Sequence, residues 1–462
     1  MRSETGRIFL ILAVAFSIFF FFAPKIALLV FFMICSIILA LYEKKAFFYT
    51  FIVLLPVSFS VDLNLFGIQD IFIADLFFLC IFIAFLLEKV LREPPKIEMS
   101  LLVYLLLIFC FISVLSIIYA KIRLDQNELY RINSILHIKY AILNKQTLRP
   151  PVVGNIVLFF RTVYPFFLYY YVRSEISTEE KEIKLLLKFI LVAGVLVSIF
   201  GWLTKLDIIP GRIMDLYTGS PVRGHIMRIS STFDNPQAFG AFLSIPLSVC
   251  YYYILQREKN VLLWFLFVFM LSIFVFTYSL GAFAAFLCSL LLITFTSKRS
   301  SFSRLILFGL IAFFVAFFFL KNDIILAKIR GSVQYVNPRK IFPSTTQARL
   351  IQWGRWLEIM RKHVLLGLGY PLVWTDNNYL KMFVNAGILG FLTFWTIVIH
   401  MTLKGIAVLR KGKNAAATIF LSIAMVYFIH SFSYDLSAVF KMNAYFFIFA
   451  AIISRLHENE NN

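Results

Sequence analysis

Apolar runs, each close to the length of a bilayer-crossing helix, recur from one end of this chain to the other, and that repetition leaves it few possible folds. A hydrocarbon layer about 30 Å thick needs about 20 apolar residues in a helix to span it. Runs near that length have cores at Ile8 to Phe22, Ile26 to Leu41, Phe47 to Val61, Ile71 to Leu87, Ser100 to Tyr119, Val152 to Val172, Leu185 to Leu203, Gln237 to Leu255, Val261 to Tyr278, Leu280 to Phe295, Arg304 to Leu320, Asn378 to His400, Ala415 to Phe432 and Ser437 to Ile453. They predict an all-α, polytopic bundle of about 12 to 14 transmembrane helices. Composition agrees: 61% of residues are hydrophobic and 15% charged, with a mean hydropathy of +0.86, which excludes a soluble domain. The first run follows Arg2 and Arg7, lacks a small-residue cleavage site and reads as a retained anchor. Cys35, Cys80, Cys110, Cys250 and Cys288 all fall inside apolar runs without metal-ligand spacing, so they read as packing residues.

Charge sets the orientation. With the amino terminus in the cytoplasm, the inner loops carry Lys44 and Lys45, Lys89, Arg92 and Lys96, Arg173 and Lys181, Arg257 and Lys259, Lys298 and Arg299, Lys404 to Lys413, and Arg455. This is the positive-inside bias, and it puts both termini in the cytoplasm. The net charge of +20 is spread over short loops, which points away from nucleic acid and towards anionic lipid and an anionic substrate. Three longer outer loops break the bias, at Lys121 to Pro151, Lys205 to Pro236 and Lys321 to Asp376. The last holds nine Lys and Arg against three acids. Basic residues that topology does not require suggest an anion-binding face. The chain therefore divides into N-terminal helices 1–204 with a basic outer loop 120–151, central helices 205–320 opened by an outer loop 205–236, the outer loop 321–376, and C-terminal helices 377–462.

Within the last loop, Leu350, Trp353, Leu357, Met360 and Val364 recur at spacings of three and four, with Gln352, Arg355, Glu358 and Lys362 on the other face. This predicts an amphipathic helix starting at Pro343 to Thr345, stopped by Gly367 and Gly369, with that apolar stripe inward. Trp353, Trp356 and Trp374 are placed either to stack on sugar or to anchor at the interface. Arg228 followed by Ser230, Ser231, Thr232, Asp234, Asn235 and Pro236 leads straight into a span, a pattern that fits either an ordinary turn or backbone aimed at an anion. Asp75 and Arg161 stand inside spans and read either as a mutual ion pair or, for Arg161, as a cation facing the same cavity as Arg228.

These motifs resemble those of the bacterial O-antigen ligase and polymerase superfamily. The run Arg228-Ile-Ser-Ser-Thr-Phe-Asp-Asn-Pro-Gln-Ala-Phe-Gly-Ala-Phe is similar to its arginine and asparagine-proline motif, and Thr277-Tyr-Ser-Leu-Gly-Ala to its small-residue turn, although Leu280 stands where the family usually has arginine. Arg349 with Trp353 and Gly367-Leu-Gly369 resembles the outer-loop motif. Asp376-Asn-Asn-Tyr-Leu followed by Gly387-Ile-Leu-Gly390 resembles the closing motif, with His430-Ser431 as a fainter echo. The likeness covers about half of the chain, from Arg228 onward. It implies a membrane-embedded glycosyltransferase of the GT-C kind in the bacterial cytoplasmic membrane, with its active site facing outside. The implied reaction transfers glycan from undecaprenyl diphosphate to an acceptor hydroxyl, without a metal or other cofactor, with inversion. Its partners would be lipid-linked glycan as donor and acceptor, membrane lipids and a chain-length regulator.

On this resemblance Arg228 and Arg349 are the candidate diphosphate ligands, with Arg223, Arg355 and Arg161 as further cations, because arginine neutralises a diphosphate through a fixed two-pronged donor geometry. Asn235, Pro236, Asn377 and Tyr379 support the motifs. The acceptor hydroxyl needs a base. Asp376 is a candidate whose position equally fits a helix cap, and His363 is a candidate whose loop position equally fits a solvated side chain. The ligase branch carries histidine where this chain has Asp376 and Asn377, which favours polymerisation of repeat units over ligation to a lipid A core or protein. A flippase of the same lipid is the rival of another class. It would show related halves and interrupted helices at mid-membrane, and the sequence displays no mid-span Gly-Pro interruption.

Overall fold

The computed structural model describes residues 24–57, 60–61, 71–91, 101–123, 132, 152–209, 228–233, 235–256, 260–296, 308–311, 313, 345–369, 377–412, 415–434 and 440–459. The chain forms two compact units, Met1–Ile97 and Glu98–Asn462, a division lying inside the first of the four segments drawn from sequence. Both are helical.

The first unit packs α1 (Pro24–Tyr42), α2 (Lys44–Val57) and α3 (Ile73–Leu91) against one another. A short antiparallel pairing, β1 (Ser60–Val61) with β2 (Ile71–Phe72), precedes α3. Phe47 stacks on Phe77 with centroids 5.1 Å apart, and Lys44 pairs with Glu88. Asp75 stands in the first turn of α3, where the positive end of the helix dipole favours a carboxylate.

The second unit contains α4 (Leu101–Arg123), α5 (Val152–Glu175), α6 (Glu180–Lys205), α7 (Pro236–Leu255), α8 (Val261–Val275), α9 (Leu280–Thr296), α10 (Thr345–Met360), α11 (Asn378–Gly412), α12 (Ala415–His430) and α13 (Phe440–Asn459). Most begin and end within a few residues of the apolar cores. Helix α7 is the axis: it touches α6, α8, α9, α12 and α13, and its apolar window is 94% buried. A helix apolar on every side belongs inside a bundle. Helix α4 is its opposite, with a still more apolar window only 28% buried and Leu101, Leu107 and Phe111 exposed. Four helices, α4, α6, α7 and α11, are long and apolar enough to cross a membrane, among the described residues.

Polar side chains join the helices where apolar packing alone confers little specificity. Tyr251 and Thr294 meet at 2.8 Å, Ser422 Oγ donates to Ser248 Oγ at 2.9 Å, and Tyr427 Oη donates to Asn443 Oδ1 at 2.7 Å. At one end of α5 and α13, Arg173 pairs with Glu458 at 3.0 Å, and Arg455 Nη1 donates to the Ile176 carbonyl at 2.6 Å.

Helix α11 corrects the expectation of uninterrupted spans. Gly387 has φ 66° and ψ −167°, so the helix breaks there and resumes. The turn following α10 fills the break: Ile388 N–H donates to the Val364 carbonyl at 2.7 Å, Leu368 N–H to Val384 at 2.7 Å, and Gly369 N–H to Asn385 at 3.0 Å. Only glycine fits, because a Cβ at Gly387 would collide with the Leu365 carbonyl.

Helix α10 itself starts at Thr345, as the sequence suggests, but ends at Met360, before Gly367 and Gly369. Its buried face matches the expected stripe only in part. Met360 of the expected stripe is 1% exposed and Trp353 packs against the same core, but Trp356 and Ile359 share that face while Leu350 and Leu357 are 43% and 52% exposed. Trp356 is therefore core, with its ring closed to sugar.

Candidate functional site

The segment from Arg228 to Asn235 is a built turn, held from three sides. Ile229 N–H donates to the Phe276 carbonyl at 3.1 Å, Ser231 Oγ to Val197 of α6 at 2.7 Å, and Lys441 Nζ of α13 to the Thr232 carbonyl at 2.9 Å. The Lys441 ammonium also lies 4.4 Å from the centre of the Phe233 ring. Ser231 takes φ 52°, a conformation the surrounding bonds must hold. Asn235 caps α7 through Oδ1, which accepts from Gln237 N–H at 2.8 Å, and Pro236 occupies the first helical position. The asparagine-proline pair thus starts the central helix at a fixed angle to Arg228.

Arg228 Nε donates to the Thr277 carbonyl at 3.0 Å, in the sharp connection between α8 and α9 where Tyr278 has φ 46°. From the other side comes Arg349, one turn inside α10. With the Gln237 amide set so that its nitrogen donates to the Ser433 carbonyl at 3.0 Å, its oxygen accepts from Arg349 Nη2 at 2.9 Å; the opposite setting faces acceptor to acceptor and donor to donor. The two guanidinium groups are close enough to affect each other. Burial, and then the charge of Arg349, push the Arg228 pKa below its usual value. Both side chains are half-buried. Sequence positions more than a hundred residues apart thereby deliver two cations to one place.

The closing motif lies next to them. Asn377, not Asp376, is the cap of α11: its Oδ1 accepts from Leu380 N–H at 2.9 Å, and its Nδ2 donates to the Phe432 carbonyl at 3.4 Å. Asn378 donates to Ser431 through its main-chain N–H at 2.8 Å and through Nδ2 at 3.1 Å. Tyr379 donates to the Phe428 carbonyl at 3.0 Å and stacks on Trp395 with centroids 4.2 Å apart. These bonds tie the start of α11 to the end of α12. Beside them, Trp353, Leu357, Tyr379, Phe383, Phe391 and Asn377 line an open groove of about 350 Å³.

Other expected residues fall elsewhere. His363 is only 6% exposed rather than solvated, and its Nδ1 lies 3.5 Å from Tyr119 Oη of α4. The helix from Arg349 to Met360 rises about 16 Å, so His363 stands well away from the arginine pair. Arg355 is six residues from Arg349, about 120° around the helix, and therefore faces a different side. Asp376, Arg223 and Trp374 lie outside the described residues, as does the side chain of Arg161, whose pairing with Asp75 is likewise outside them. No group of three or more potential metal ligands occurs among the described residues.

Gln237, Ser433 and Lys441 have no role assigned from sequence, and His430 stands there only in a faint motif echo. Gln237 bridges Arg349 to Ser433 but reads in sequence as an ordinary first-turn residue. His430 and Ser433 both contact Gln237, through its main-chain carbonyl and its side-chain amide. Lys441 was the most findable, being a lone cation inside an apolar run, which in a membrane segment signals a specific partner.

The chain matches no protein-family model and no curated protein.

Proposed function

We infer that this chain is a membrane glycosyltransferase that joins lipid-diphosphate-linked oligosaccharide units into a longer polysaccharide. The observation that carries the reading is the half-buried Arg228, held by the Thr277 carbonyl and within electrostatic reach of Arg349, which Gln237 holds in turn. Two like charges in a half-buried setting raise each other's energy, and a bound anion of two or more charges reverses that. A diphosphate leaving group has this character. Its departure from an anomeric carbon needs charge neutralised more than it needs a proton, and fixed guanidinium donors do this without reorganising during the reaction.

In this reading the acceptor hydroxyl attacks the anomeric carbon from the face opposite the diphosphate, and the bond to the phosphate oxygen breaks with inversion. The diphosphate leaves with the bonding electrons, beside the two arginines. The groove lined by Trp353, Tyr379 and Phe383 offers an apolar wall for a prenyl chain or a sugar face. The resemblance to the polymerase and ligase superfamily supports the same chemistry, in the bacterial cytoplasmic membrane with the site facing outside. Polymerisation is preferred to ligation because the cap at the start of α11 is Asn377, with no histidine in the closing motif.

The test is elongation of purified lipid-linked oligosaccharide by the full chain in nanodiscs, with chelator present and no nucleotide. Longer glycan on the lipid supports polymerisation, and glycan on a different added acceptor supports ligation instead. One feature favours a transporter of the same lipid: α11 is interrupted at Gly387, as transport helices often are. Movement of labelled lipid across the bilayer without any new glycosidic bond would establish that alternative.

A further inference from the structure

Behind the arginine pair stands a hydroxyl backed by a histidine. His430 is the last residue of α12 and is wholly buried. Its Nε2 lies 3.1 Å from the main-chain carbonyl oxygen of Gln237, and its Nδ1 lies 3.0 Å from Ser433 Oγ. A carbonyl oxygen only accepts, so Nε2 carries the proton. A neutral imidazole has one N–H, so Nδ1 holds a lone pair facing the Ser433 hydroxyl, whose oxygen lies 3.0 Å from it and 3.1 Å from the His430 main-chain carbonyl. Ser433 is half-buried, hence within reach of a substrate, while the histidine is not. The main-chain carbonyl of Ser433 accepts from the Gln237 amide whose oxygen binds Arg349, so the hydroxyl and the cations share one residue. Across from them is Gly281 of α9. A Cβ there would collide with Ser433 Oγ and come within 2.8 Å of His430 Nδ1, so the absent side chain is what lets ring and hydroxyl close together.

We propose that Ser433 and His430 are the proton-accepting pair of the transfer reaction, acting on a sugar hydroxyl of the acceptor glycan. The proposal rests on the glycosyl-transfer reading and fills the role that the sequence offered to Asp376 or His363. As the acceptor oxygen bonds to the anomeric carbon, its proton passes to Ser433 Oγ while the serine's own proton passes to His430 Nδ1. The bond from the anomeric carbon to the diphosphate oxygen breaks, and its electron pair leaves on the diphosphate. His430 is then an imidazolium with both N–H groups satisfied, by the Gln237 carbonyl and by Ser433 Oγ. The carbonyl end of α12 favours that cation, and Arg349 of α10 opposes it. Tyr434, stacked 6.0 Å from the ring, is the other titratable neighbour among the described residues, since α7 and α9 present Gln237 and Gly281.

A fluorophosphonate probe tests this without relying on turnover, because such reagents label a serine whose proton is drawn off by histidine. The full chain in nanodiscs should be labelled at Ser433, and H430Q should react about a hundredfold more slowly. An unlabelled Ser433 in the parent chain, or equal rates in H430Q, would overturn the pair. In the elongation assay, S433A should lower kcat by about 10²–10³ with the KM for lipid-linked donor unchanged, and H430Q should lose the acid limb of the pH profile. Full activity of S433A, with Ser433 labelled in the parent chain, sinks the pair while leaving the transfer reading standing. Labelling as expected, in a parent chain that elongates nothing, sinks the transfer reading and this assignment with it. Retained binding of lipid diphosphate by S433A and H430Q checks that both are folded.

Discussion

Two parts of the Glu98–Asn462 unit place polar groups among apolar helices, and they use them in opposite ways. Around Gly387, the backbone freed by the break in α11 is taken up by its own neighbours: Val364, Leu368 and Gly369 pair with it, and Ser116 Oγ adds a bond to the Asn385 carbonyl at 2.6 Å. Trp356, Ile359, Met360 and Val384 seal the region. Around Gln237, by contrast, the fold gathers the Arg349 guanidinium, a histidine and a half-buried hydroxyl, with Arg228 within electrostatic reach. The first arrangement pairs the backbone that it frees and is scaffold. The second holds like charges at close quarters and has the character of a reserve for something brought from outside.

The sharpest way to break this contrast is Gly387→Ala. The positive φ and the collision with the Leu365 carbonyl should together cost about 3 kcal/mol or more, read as a large fall in the thermal midpoint or loss of monodisperse protein. An unchanged midpoint would mean that the break is not demanding. Next comes the arginine pair. Arg228→Ala and Arg349→Ala should each lower elongation about 10²–10³-fold while the thermal midpoint holds, and the double variant should lose less than the product of the two. Strict multiplication would show that the two act on separate groups. Arg349→Lys should not rescue, because an ammonium lacks the planar fork.

How much of this was legible in the sequence depends on the kind of information each residue carries. Arg228 and Arg349 were found because their motifs keep an order along the chain, and the start of α10 because Thr345 follows a proline. The face of α10 is only partly legible: Trp353 and Met360 meet the core as their spacing suggests, but so do Trp356 and Ile359, while Leu350 and Leu357 stand exposed, and period alone does not separate them. The break at Gly387 carried no proline, and a backbone sign is not written in composition. Asp376 and Asn377 are both good caps, and only the bond to Leu380 N–H separates them. His430 and Ser433 were unreadable as a pair, because what joins them to the site is a main-chain carbonyl two hundred residues away.

Two smaller effects sharpen the comparison further. Lys441→Met should cost about 1–3 kcal/mol through the Thr232 carbonyl left without its donor, and should lower transfer more than its stability cost alone accounts for, since the Arg228 turn loses one of its three ties. Equal transfer at a temperature well below the midpoint would make Lys441 purely structural. Asn235→Ala should cost about 1 kcal/mol as a lost cap and Asn235→Asp almost nothing, measured by denaturant midpoint.

The pairing of residues 364–369 with the broken helix has a mechanical consequence. It clamps one end of α10, leaving Arg349 near the opposite end of a rod about 16 Å away. A tilt of only about 5° at the clamp would carry the guanidinium about 1.4 Å, enough to open or close its grip on Gln237. A ligand pressing on the fulcrum near Tyr119 and His363 would thus be felt at the far tip as a change of reach.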